Sequence, residues 1–181
     1  MMLMQVLVVI TLLVSDVAGS IPTEHNENDP LELLDRWSLP QLTQGRCDEN
    51  WYYYPDVDSC YRYYSHQKTW KEAEEFCNQL PHYGNLATVT SDEHNAFISR
   101  VISAVNSGNP WAWIGLNDIW QEGDFTWSDG TCYNYRKWGP NEPNNHGNED
   151  CTHIHFFSGS EKWNDFPCDR SHGFVCSYKL H

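Results

Sequence analysis

Seven cysteines place the strongest constraint on what this 181-residue chain can fold into. The chain begins with an apolar run from Leu3 to Val14, followed by the small residues Ala18 to Ser20. Such a run is too short to span a bilayer and is typical of a signal peptide. Cysteines that follow a signal peptide are expected to pair as disulfides in an oxidising compartment. We therefore predict a disulfide-linked extracellular protein, although spacing alone does not decide which cysteines pair.

Three segments divide the chain. Residues 1–20 are the predicted signal peptide, and residues 21–46 form an acidic, flexible N-terminal segment with little apolar material to bury. The remaining residues, 47–181, have a normal length for one domain. An uncleaved membrane anchor is the alternative for the first segment, but its length argues against an anchor. Since no later stretch approaches the length of a membrane span, we expect a secreted protein.

The net charge of the chain is strongly negative. One of its 25 acidic side chains lies in the leader, so residues 21–181 carry 24 acids against 11 Lys and Arg, a net charge of −13. Binding to nucleic acid requires a basic surface, which excludes that class of partner. Nine acids and only three bases lie between Asp118 and Asp165. This clustering is compatible with bound cations, whereas solvation of a secreted surface explains the acidic N-terminal segment.

Two helices are predicted in the first half of the domain. Thr69 and Glu72 have the spacing of a capping box, and apolar residues follow at helical intervals as far as Leu80. Ser91 can cap a second helix. The buried stripe of that helix is predicted to be Phe97, Ile98, Val101, Ile102 and Val105.

Short strands are predicted on both sides of these helices. Runs of strand-forming residues at 51–54 and 60–64 flank Pro55-Asp56, which indicates a hairpin. The other strand candidates are Leu86–Val89, Trp111–Leu116, Phe125–Trp127, Cys151–Phe156 and Phe174–Tyr178. Early helices and late strands favour an α+β fold. The irregular segment 118–148 is long enough to need its own means of support.

The most informative motif reads P-N-E-P-N-N-H-G-N-E-D-C at residues 140–151 and is completed by W-N-D at residues 163–165. The oxygen donors in these two segments are Glu142, Asn144, Glu149, Asn164 and Asp165. Calcium takes about six to eight oxygen ligands, so these side chains would leave positions open for the hydroxyl groups of a ligand. The alternative is an ordinary polar loop, because Pro, Asn and Gly are common in turns.

The same segments, together with Trp113-Ile114-Gly115-Leu116, resemble C-type lectin domains, whose sugar-binding loop carries E-P-N, E-D-C and W-N-D. The resemblance extends from Cys47 to the C-terminus and implies a C-type lectin-like α+β fold. In that fold, two helices and small antiparallel sheets accompany a long loop that calcium stabilises. The resemblance also implies the disulfides Cys47–Cys60, Cys77–Cys176 and Cys151–Cys168, with Cys132 left unpaired.

The resemblance further implies two calcium sites and a class of sugar. The principal ion, and through it the carbohydrate, would be held by Glu142, Asn144, Glu149, Asn164 and Asp165. An auxiliary ion would be held by Asp118, Glu122, Asn145, Glu149 and Asp150, where Asn145 replaces the more usual carboxylate. The order Glu142-Pro143-Asn144, with a cis bond before the proline, resembles the version associated with mannose, N-acetylglucosamine or fucose. The expected partners are glycans or glycoconjugates, including those of microbial surfaces as in innate immunity.

Several alternatives remain open. An acidic matrix or mineral-associated protein, or a protein-binding module on the same fold, would have no use for a sugar site. His153 and His155 would share one face of a strand and could hold zinc, but no third ligand lies at zinc spacing. Trp120 or Trp138 could stack on a sugar, and Cys132 could join two chains in a homodimer. Hydrolase motifs such as G-x-S-x-G are missing from the sequence, so we expect a binding protein rather than an enzyme.

Overall fold

Two helices pack against one mixed sheet in the computed structural model, which describes residues 41–157 and 160–180. The predicted signal peptide and residues 21–40 of the predicted N-terminal segment lie outside the described residues. The helices are α1 (Trp70–Asn78) and α2 (Asp92–Val105). The strands are β1 (Tyr52–Tyr54), β2 (Ser59–Lys68), β3 (Asn85–Leu86), β4 (Ala112–Asn117), β5 (Thr126–Trp127), β6 (Cys151–Phe157), β7 (Ser160–Phe166) and β8 (His172–Lys179). A short 3-10 helix, Pro55–Val57, joins β1 to β2.

Both helices begin where the sequence predicts. The Thr69 hydroxyl accepts a hydrogen bond from the Glu72 backbone N–H, and the Glu72 carboxylate accepts one from the Thr69 N–H, so the capping box is complete. Ser91 caps α2 by accepting a hydrogen bond from the backbone N–H of His94. Four of the five stripe residues predicted for α2 are buried. The prediction for Val105 is wrong: its side chain is 57% exposed, because α2 ends at this residue and the chain leaves the core there.

The sheet has the strand order β1-β2-β8-β4-β6-β7, with β3 also paired to β8 and β5 to β4. All of these pairs are antiparallel except β4 with β8, where Ala112 lies opposite Gly173 and Trp113 opposite Phe174. The sheet is therefore mixed, and it connects strands that the sequence suggested as separate small sheets. The strand predicted over Leu86–Val89 is shorter, because only Asn85–Leu86 pairs with β8.

Three disulfides join the elements in the pairs that the resemblance implied. Cys77–Cys176 ties α1 to β8, and Cys47–Cys60 ties the start of the domain to β2. Cys151–Cys168 joins the start of β6 to the segment after β7, so it closes the base of the β6–β7 hairpin. Cys132 is unpaired and exposed. Among the described residues, none of the helices is long and apolar enough to cross a membrane.

Candidate functional site

Trp163 holds the long loop against the last hairpin of the sheet. Its side chain is completely buried, and its indole N–H donates to the Asn95 side chain of α2 at 2.8 Å. Its backbone carbonyl accepts from the Gly139 N–H at 2.8 Å, and its own N–H donates to the Lys137 carbonyl at 2.9 Å. These bonds fix residues 137–139 beside β7. The E-P-N segment therefore starts next to Asn164 and Asp165, the residues that follow Trp163.

A second set of contacts supports the same loop from the side. Asp92, at the start of α2, forms an ion pair with Lys137 and accepts a hydrogen bond from the Tyr135 hydroxyl at 2.8 Å. The Trp138 indole N–H donates to the Tyr133 hydroxyl at 2.7 Å, and the ring packs on the core. Trp138 is therefore a support for the loop and not a free stacking surface.

Trp120 has the opposite environment. Its side chain is 94% exposed, and the neighbouring Ile119 is 47% exposed. Of the two tryptophans that the sequence offered as sugar-stacking residues, Trp120 is the one with an accessible ring.

Asp165 lies at the centre of the principal set of predicted ligands. It is 1% exposed, and its carboxylate accepts hydrogen bonds from the backbone N–H groups of Asn144 at 3.0 Å and Asn145 at 2.8 Å. The side-chain amide of Asn144 donates to the carboxylate of Glu142. The carboxylate of Glu149 accepts from the backbone N–H of His146 at 2.9 Å. The peptide bond between Glu142 and Pro143 is cis, as the resemblance implied.

The carboxylates of this set repel one another. Burial raises the pKa of Glu142 to about 7, and a hydrogen bond and the negative charge of Asp165 contribute to the rise. The pKa of Glu149 is also raised, first by burial and then by the charge of Asp165. A cation placed among these groups would relieve their repulsion and favour their ionised forms. The donor set is therefore chemically suited to a hard divalent cation.

Asn164 is positioned by neighbours outside the loop. Its amide nitrogen donates to Nε2 of His153 at 3.3 Å and to the backbone carbonyl of Asp165. Because the nitrogen makes these protein contacts, Oδ1 is the atom that this side chain would present to a cation. Among residues 41–157 and 160–180, no three His, Cys, Asp or Glu side chains are already gathered as a metal cluster. The five side chains are thus a candidate set, and their role as ligands stays a prediction.

The predicted auxiliary set is centred on Asp118, which is 2% exposed. One carboxylate oxygen accepts from the Gly123 N–H at 2.8 Å, and the other, Oδ1, has no hydrogen-bond partner in the described part of the chain. Burial raises the pKa of Asp118, and the charges of Asp150 and Asp165 add to the effect. The pKa of Glu122 is raised by burial and then by the charge of Asp118. A buried, unpartnered carboxylate oxygen among like charges is a suitable environment for a cation.

Two further members of the auxiliary set, Asn145 and Asp150, already accept hydrogen bonds in the loop. Asn145 accepts a hydrogen bond from the Glu149 backbone N–H through Oδ1 at 2.8 Å. Asp150 accepts from the Asn148 side-chain amide at 2.7 Å, and its backbone carbonyl accepts from the Asp118 N–H at 3.0 Å. These bonds shape the turn around the candidate site. Asn145 would have to share Oδ1, or move, in order to bind an ion, whereas Asp150 has a second carboxylate oxygen.

A cluster of aromatic and imidazole rings borders the principal set and was not predicted. Trp111 stacks on His153 with ring centroids 4.6 Å apart, and His172 lies 5.6 Å from His153. A cavity of about 130 Å³ beside them is also lined by Glu142 and Asn164. The alternation of His153 with His155 was visible in the sequence. The sequence did not indicate that Trp111 and His172 belong to the cluster, because the tertiary arrangement of β4 and β8 brings them there.

The zinc alternative has no support in this cluster. Burial lowers the pKa of His153 well below its ordinary value, and the neighbouring imidazoles lower it further, so the ring is neutral, which by itself would suit a metal. Its Nε2 is already engaged by Asn164. The described residues contain no group of three ligands around it that could hold a metal ion.

Comparisons with known proteins agree with this architecture. The family model of the lectin C-type domain matches residues 66–178. The chain is 38% identical to an alpha-N-acetylgalactosamine-specific lectin of Patiria pectinifera, over 65% of this chain and 73% of the relative. It is 34% identical to a mannose-binding C-type lectin isoform of Oxyuranus scutellatus, over 82% of this chain and 93% of the relative. The crystal structure of the C-type lectin CEL-I from Cucumaria echinata matches with a TM-score of 0.68 at 29% identity, over 73% of this chain and 96% of that chain.

The match includes the part of the chain that carries the candidate site. Every residue of the principal and auxiliary sets lies within 66–178. The relatives are named as lectins, which bind carbohydrates and are not enzymes. The family model covers more than half of the chain, and the two curated relatives each exceed 30% identity. This chain belongs to the C-type lectin domain family, as a carbohydrate-binding protein and not an enzyme.

Proposed function

We propose that this chain is a secreted, calcium-dependent lectin for mannose-type sugars. The proposed ligands of the ion are Glu142, Asn144, Glu149, Asn164 and Asp165. The observation that carries the proposal is the convergence of Glu142 and Asp165 on Asn144, whose side-chain amide donates to Glu142 and whose backbone N–H donates to Asp165. Burial, and then the contact with Asp165, raise the pKa of Glu142 to about 7. Carboxylates in this arrangement are poorly stabilised by the protein alone. A bound calcium ion would neutralise them, and its open coordination positions would accept two neighbouring hydroxyl groups of a sugar.

The proposed sugar class depends on the order of Glu142 and Asn144. An ionised glutamate only accepts hydrogen bonds, whereas the asparagine amide nitrogen donates them. The order acceptor–donor along the loop would therefore select the direction in which a pair of hydroxyls points. Family membership alone does not decide the sugar, because one relative is named for N-acetylgalactosamine and another for mannose. The E-P-N order supports mannose, N-acetylglucosamine or fucose here.

We also propose an auxiliary calcium ion held by Asp118, Glu122, Asn145, Glu149 and Asp150. The unpartnered oxygen of Asp118 and the raised pKa values of Asp118 and Glu122 support it. Because Asn145 stands in place of a carboxylate and so removes one negative charge, we expect this ion to bind more weakly than the principal one.

Retention on immobilised mannose tests the proposal directly. The protein should bind the resin in calcium, elute with chelator and bind again when calcium is restored, since extracellular calcium sites have dissociation constants of about 10⁻⁴–10⁻³ M. Asp165→Asn should abolish retention. Asp169→Asn, which makes the same change at an exposed position outside both ligand sets, is the matched control and should bind normally. Retention that survives chelator would contradict the calcium mechanism.

We further propose that Cys132 links two chains in a covalent homodimer. The thiol is exposed and unpaired, as such a link requires. Two linked sites would bind dense glycan displays, such as microbial surfaces, more tightly than one site because the second binding event becomes intramolecular. A non-reducing gel should show a dimer that Cys132→Ser converts to monomer. Monomer alone in the unmodified protein would rule the link out.

A further inference from the structure

A small cavity lies directly beside the principal set of proposed calcium ligands. Its volume is about 130 Å³, and its lining includes Glu142 and Asn164, two members of that set. The lining also includes Trp111 and Pro140, which belong to neither ligand set. A sugar that reaches the ion between Glu142 and Asn164 would therefore have part of its surface at this cavity.

Trp111 is the aromatic surface that such a ligand can reach. The residue is 44% exposed. Its ring stacks on the imidazole of His153 with centroids 4.6 Å apart, and the ring of Phe166 packs against it edge-on at 5.4 Å. His153 is completely buried, so it supports the tryptophan ring from behind and is not itself a contact for a ligand. Trp111 is thus held in one orientation, with part of its ring open to solvent.

The pairing of three strands brings this ring to the candidate site. In β4 and β6, Trp113 lies opposite His153, and in β6 and β7, His153 lies opposite Asn164. Trp111 comes two residues before Trp113 and shares its side of the sheet, because alternate residues of an extended chain point the same way. One row of side chains across the sheet therefore connects the exposed ring with a proposed calcium ligand.

The volume of the cavity limits what it can hold. Small-molecule sites in proteins have volumes of about 300–1,000 Å³, so a cavity of about 130 Å³ is too small for a whole second sugar. It is much larger than a single hydroxyl group needs, since one water molecule occupies about 30 Å³ in the liquid. We therefore expect it to hold a substituent of the bound sugar that consists of a few non-hydrogen atoms.

The chemistry of the lining selects among such substituents. Among the described residues that line the cavity, none is a Lys or Arg that could pair with an anionic group, and Glu142 would repel one. An ammonium group would be repelled by the calcium ion. A purely apolar group would suit Trp111 and Pro140 but would offer no polar atom to Glu142 and Asn164. An acetamido group is neutral and has both a methyl end and a polar amide, so it matches both parts of the lining.

We propose that this cavity is an acetamido subsite, which selects N-acetylglucosamine among the mannose-type sugars. The inference rests on the proposed function, because the sugar must first be held at the ion through two neighbouring hydroxyls. When one of these hydroxyls lies between Glu142 and Asn164, the substituent of the next ring carbon reaches the cavity. N-acetylglucosamine carries its acetamido group on that carbon. The methyl end packs on the ring of Trp111.

Glucose and N-acetylglucosamine test the proposal, because they differ only in the acetamido group. In calcium, NMR titration should show that N-acetylglucosamine binds at least about fivefold more tightly than glucose. N-formylglucosamine lacks only the methyl group and should bind roughly fourfold more weakly than N-acetylglucosamine, as expected for one buried methyl. The proton signal of the acetamido methyl should move upfield on binding, because it lies over the ring of Trp111.

Trp111→Ala is the test variant. It should bring the affinities for N-acetylglucosamine and glucose to within about twofold of each other and should remove the upfield shift of the methyl signal. Binding of glucose in calcium should persist, which shows that the variant is folded. Trp111→Phe keeps an aromatic wall beside His153 and should retain an intermediate preference. Trp120→Ala is the matched control, because it removes a tryptophan that is 94% exposed but does not line the cavity.

The possible outcomes separate this subsite from the lectin proposal. Equal, calcium-dependent binding of glucose and N-acetylglucosamine by the unmodified protein would overturn the subsite and leave the lectin proposal standing. A preference that survives in Trp111→Ala, or that is lost in Trp120→Ala, would show that the acetamido group binds elsewhere. If no mannose-type sugar binds in calcium, the proposed function fails, and the subsite fails with it.

Discussion

The helical half of the domain and the acidic loop are held in place by different forces. In the helical half, Phe97, Ile98 and Val101 of α2 are completely buried, and Cys77–Cys176 ties α1 to the sheet. The loop around residues 118–150 is attached by hydrogen bonds, by Trp163 and by the buried rings of Phe125 and Trp127. It also carries carboxylates whose pKa values are raised by burial and by one another. The first region is stabilised mainly by burial of apolar side chains, whereas the carboxylates of the second need protons or cations to neutralise them.

This difference explains how the fold can support a site that is unfavourable by itself. The disulfide Cys151–Cys168 and the buried Trp163 anchor β6 and β7, which keeps Asp165 near Glu142 despite their like charges. The stability of the packed core offsets the repulsion between these like charges. Substitutions in the helical half and in the acidic loop, each measured with and without calcium, should therefore change the free energy of unfolding in different ways.

Truncation of the core should have the largest effect, and calcium should not alter it. Phe97→Ala removes a fully buried ring from the centre of α2 and should lower the free energy of unfolding by about 3–5 kcal/mol. Denaturant unfolding monitored by tryptophan fluorescence measures this loss. The same loss is expected in calcium and in chelator. A loss that calcium largely rescues would show that the two regions are not stabilised independently.

Calcium should stabilise the unmodified protein by a smaller amount. At about 10 mM calcium and dissociation constants of about 10⁻⁴–10⁻³ M, mass action gives roughly 1.4–2.7 kcal/mol. Asp165→Asn should remove most of this gain, because its carboxylate is the most buried member of the principal set. The difference in free energy of unfolding between calcium and chelator, determined for each variant, measures this gain.

The matched control for that variant is Asp169→Asn, which alters charge equally at an exposed position. It should keep the calcium gain of the unmodified protein. If Asp165→Asn also keeps it, the principal set is wrongly assigned.

Exchanging the two loop residues should alter specificity more than stability. Glu142→Gln combined with Asn144→Asp keeps one carboxylate and one amide but reverses their order, so a mannose-like pair of hydroxyls meets mismatched partners. Unpaired polar groups at a dry site cost about 1–3 kcal/mol, enough for roughly tenfold weaker mannose binding. Competition by mannose and galactose measures the change, and calcium uptake is checked by calorimetry. Unchanged mannose preference with intact calcium uptake would show that this pair does not set specificity.

Local signals in the sequence predicted the helical half well. The capping box at Thr69 and Glu72 and the cap at Ser91 act within three residues of chain, so they are visible without tertiary structure. The error at Val105 arises because helical periodicity continues to the last residue, whereas burial depends on what lies opposite. The disulfides followed from the family resemblance, which carries tertiary information that spacing lacks.

The surroundings of the candidate site were less predictable. Residues of the E-P-N and W-N-D segments are recognisable by type, but their supports are distant in sequence. Asn95 holds Trp163 from 68 residues away, and Asp92 accepts from Tyr135 across 43 residues. Strand β7 lies at the edge of the sheet, where it pairs with β6. Its apolar pattern is therefore weak, and its sequence looks like that of a polar segment. Long-range contacts of this kind leave no periodic trace in the sequence.

The dependence of stability on pH should show the smallest effect and the sharpest contrast between the regions. Without calcium, the pKa of Glu142 is raised to about 7, and those of Glu149 and Asp118 are also raised. At these groups the folded state then binds more protons than the unfolded state between the ordinary carboxylate pKa and about pH 7, so their contribution to stability in chelator is lost as the pH rises through that window. The buried His94 and His153 act in the opposite direction, because burial lowers their pKa and the unfolded chain binds protons there that the folded chain does not. The contribution of the loop is therefore the difference between the unmodified protein and Glu142→Gln.

Calcium should act on these carboxylates in the opposite sense, because they must be ionised to hold the ion, so its stabilisation grows as the pH rises. Thermal unfolding between about pH 5 and pH 7.5, with calcium and with chelator, measures both slopes. Both are expected to be modest, since Glu142 is only partly buried and solvent screens its charge. Glu142→Gln should remove the part of the chelator slope that falls as the pH rises, whereas Phe97→Ala should lower both curves without changing either slope. A chelator slope that Glu142→Gln leaves unchanged would mean that the loop carboxylates do not repel one another.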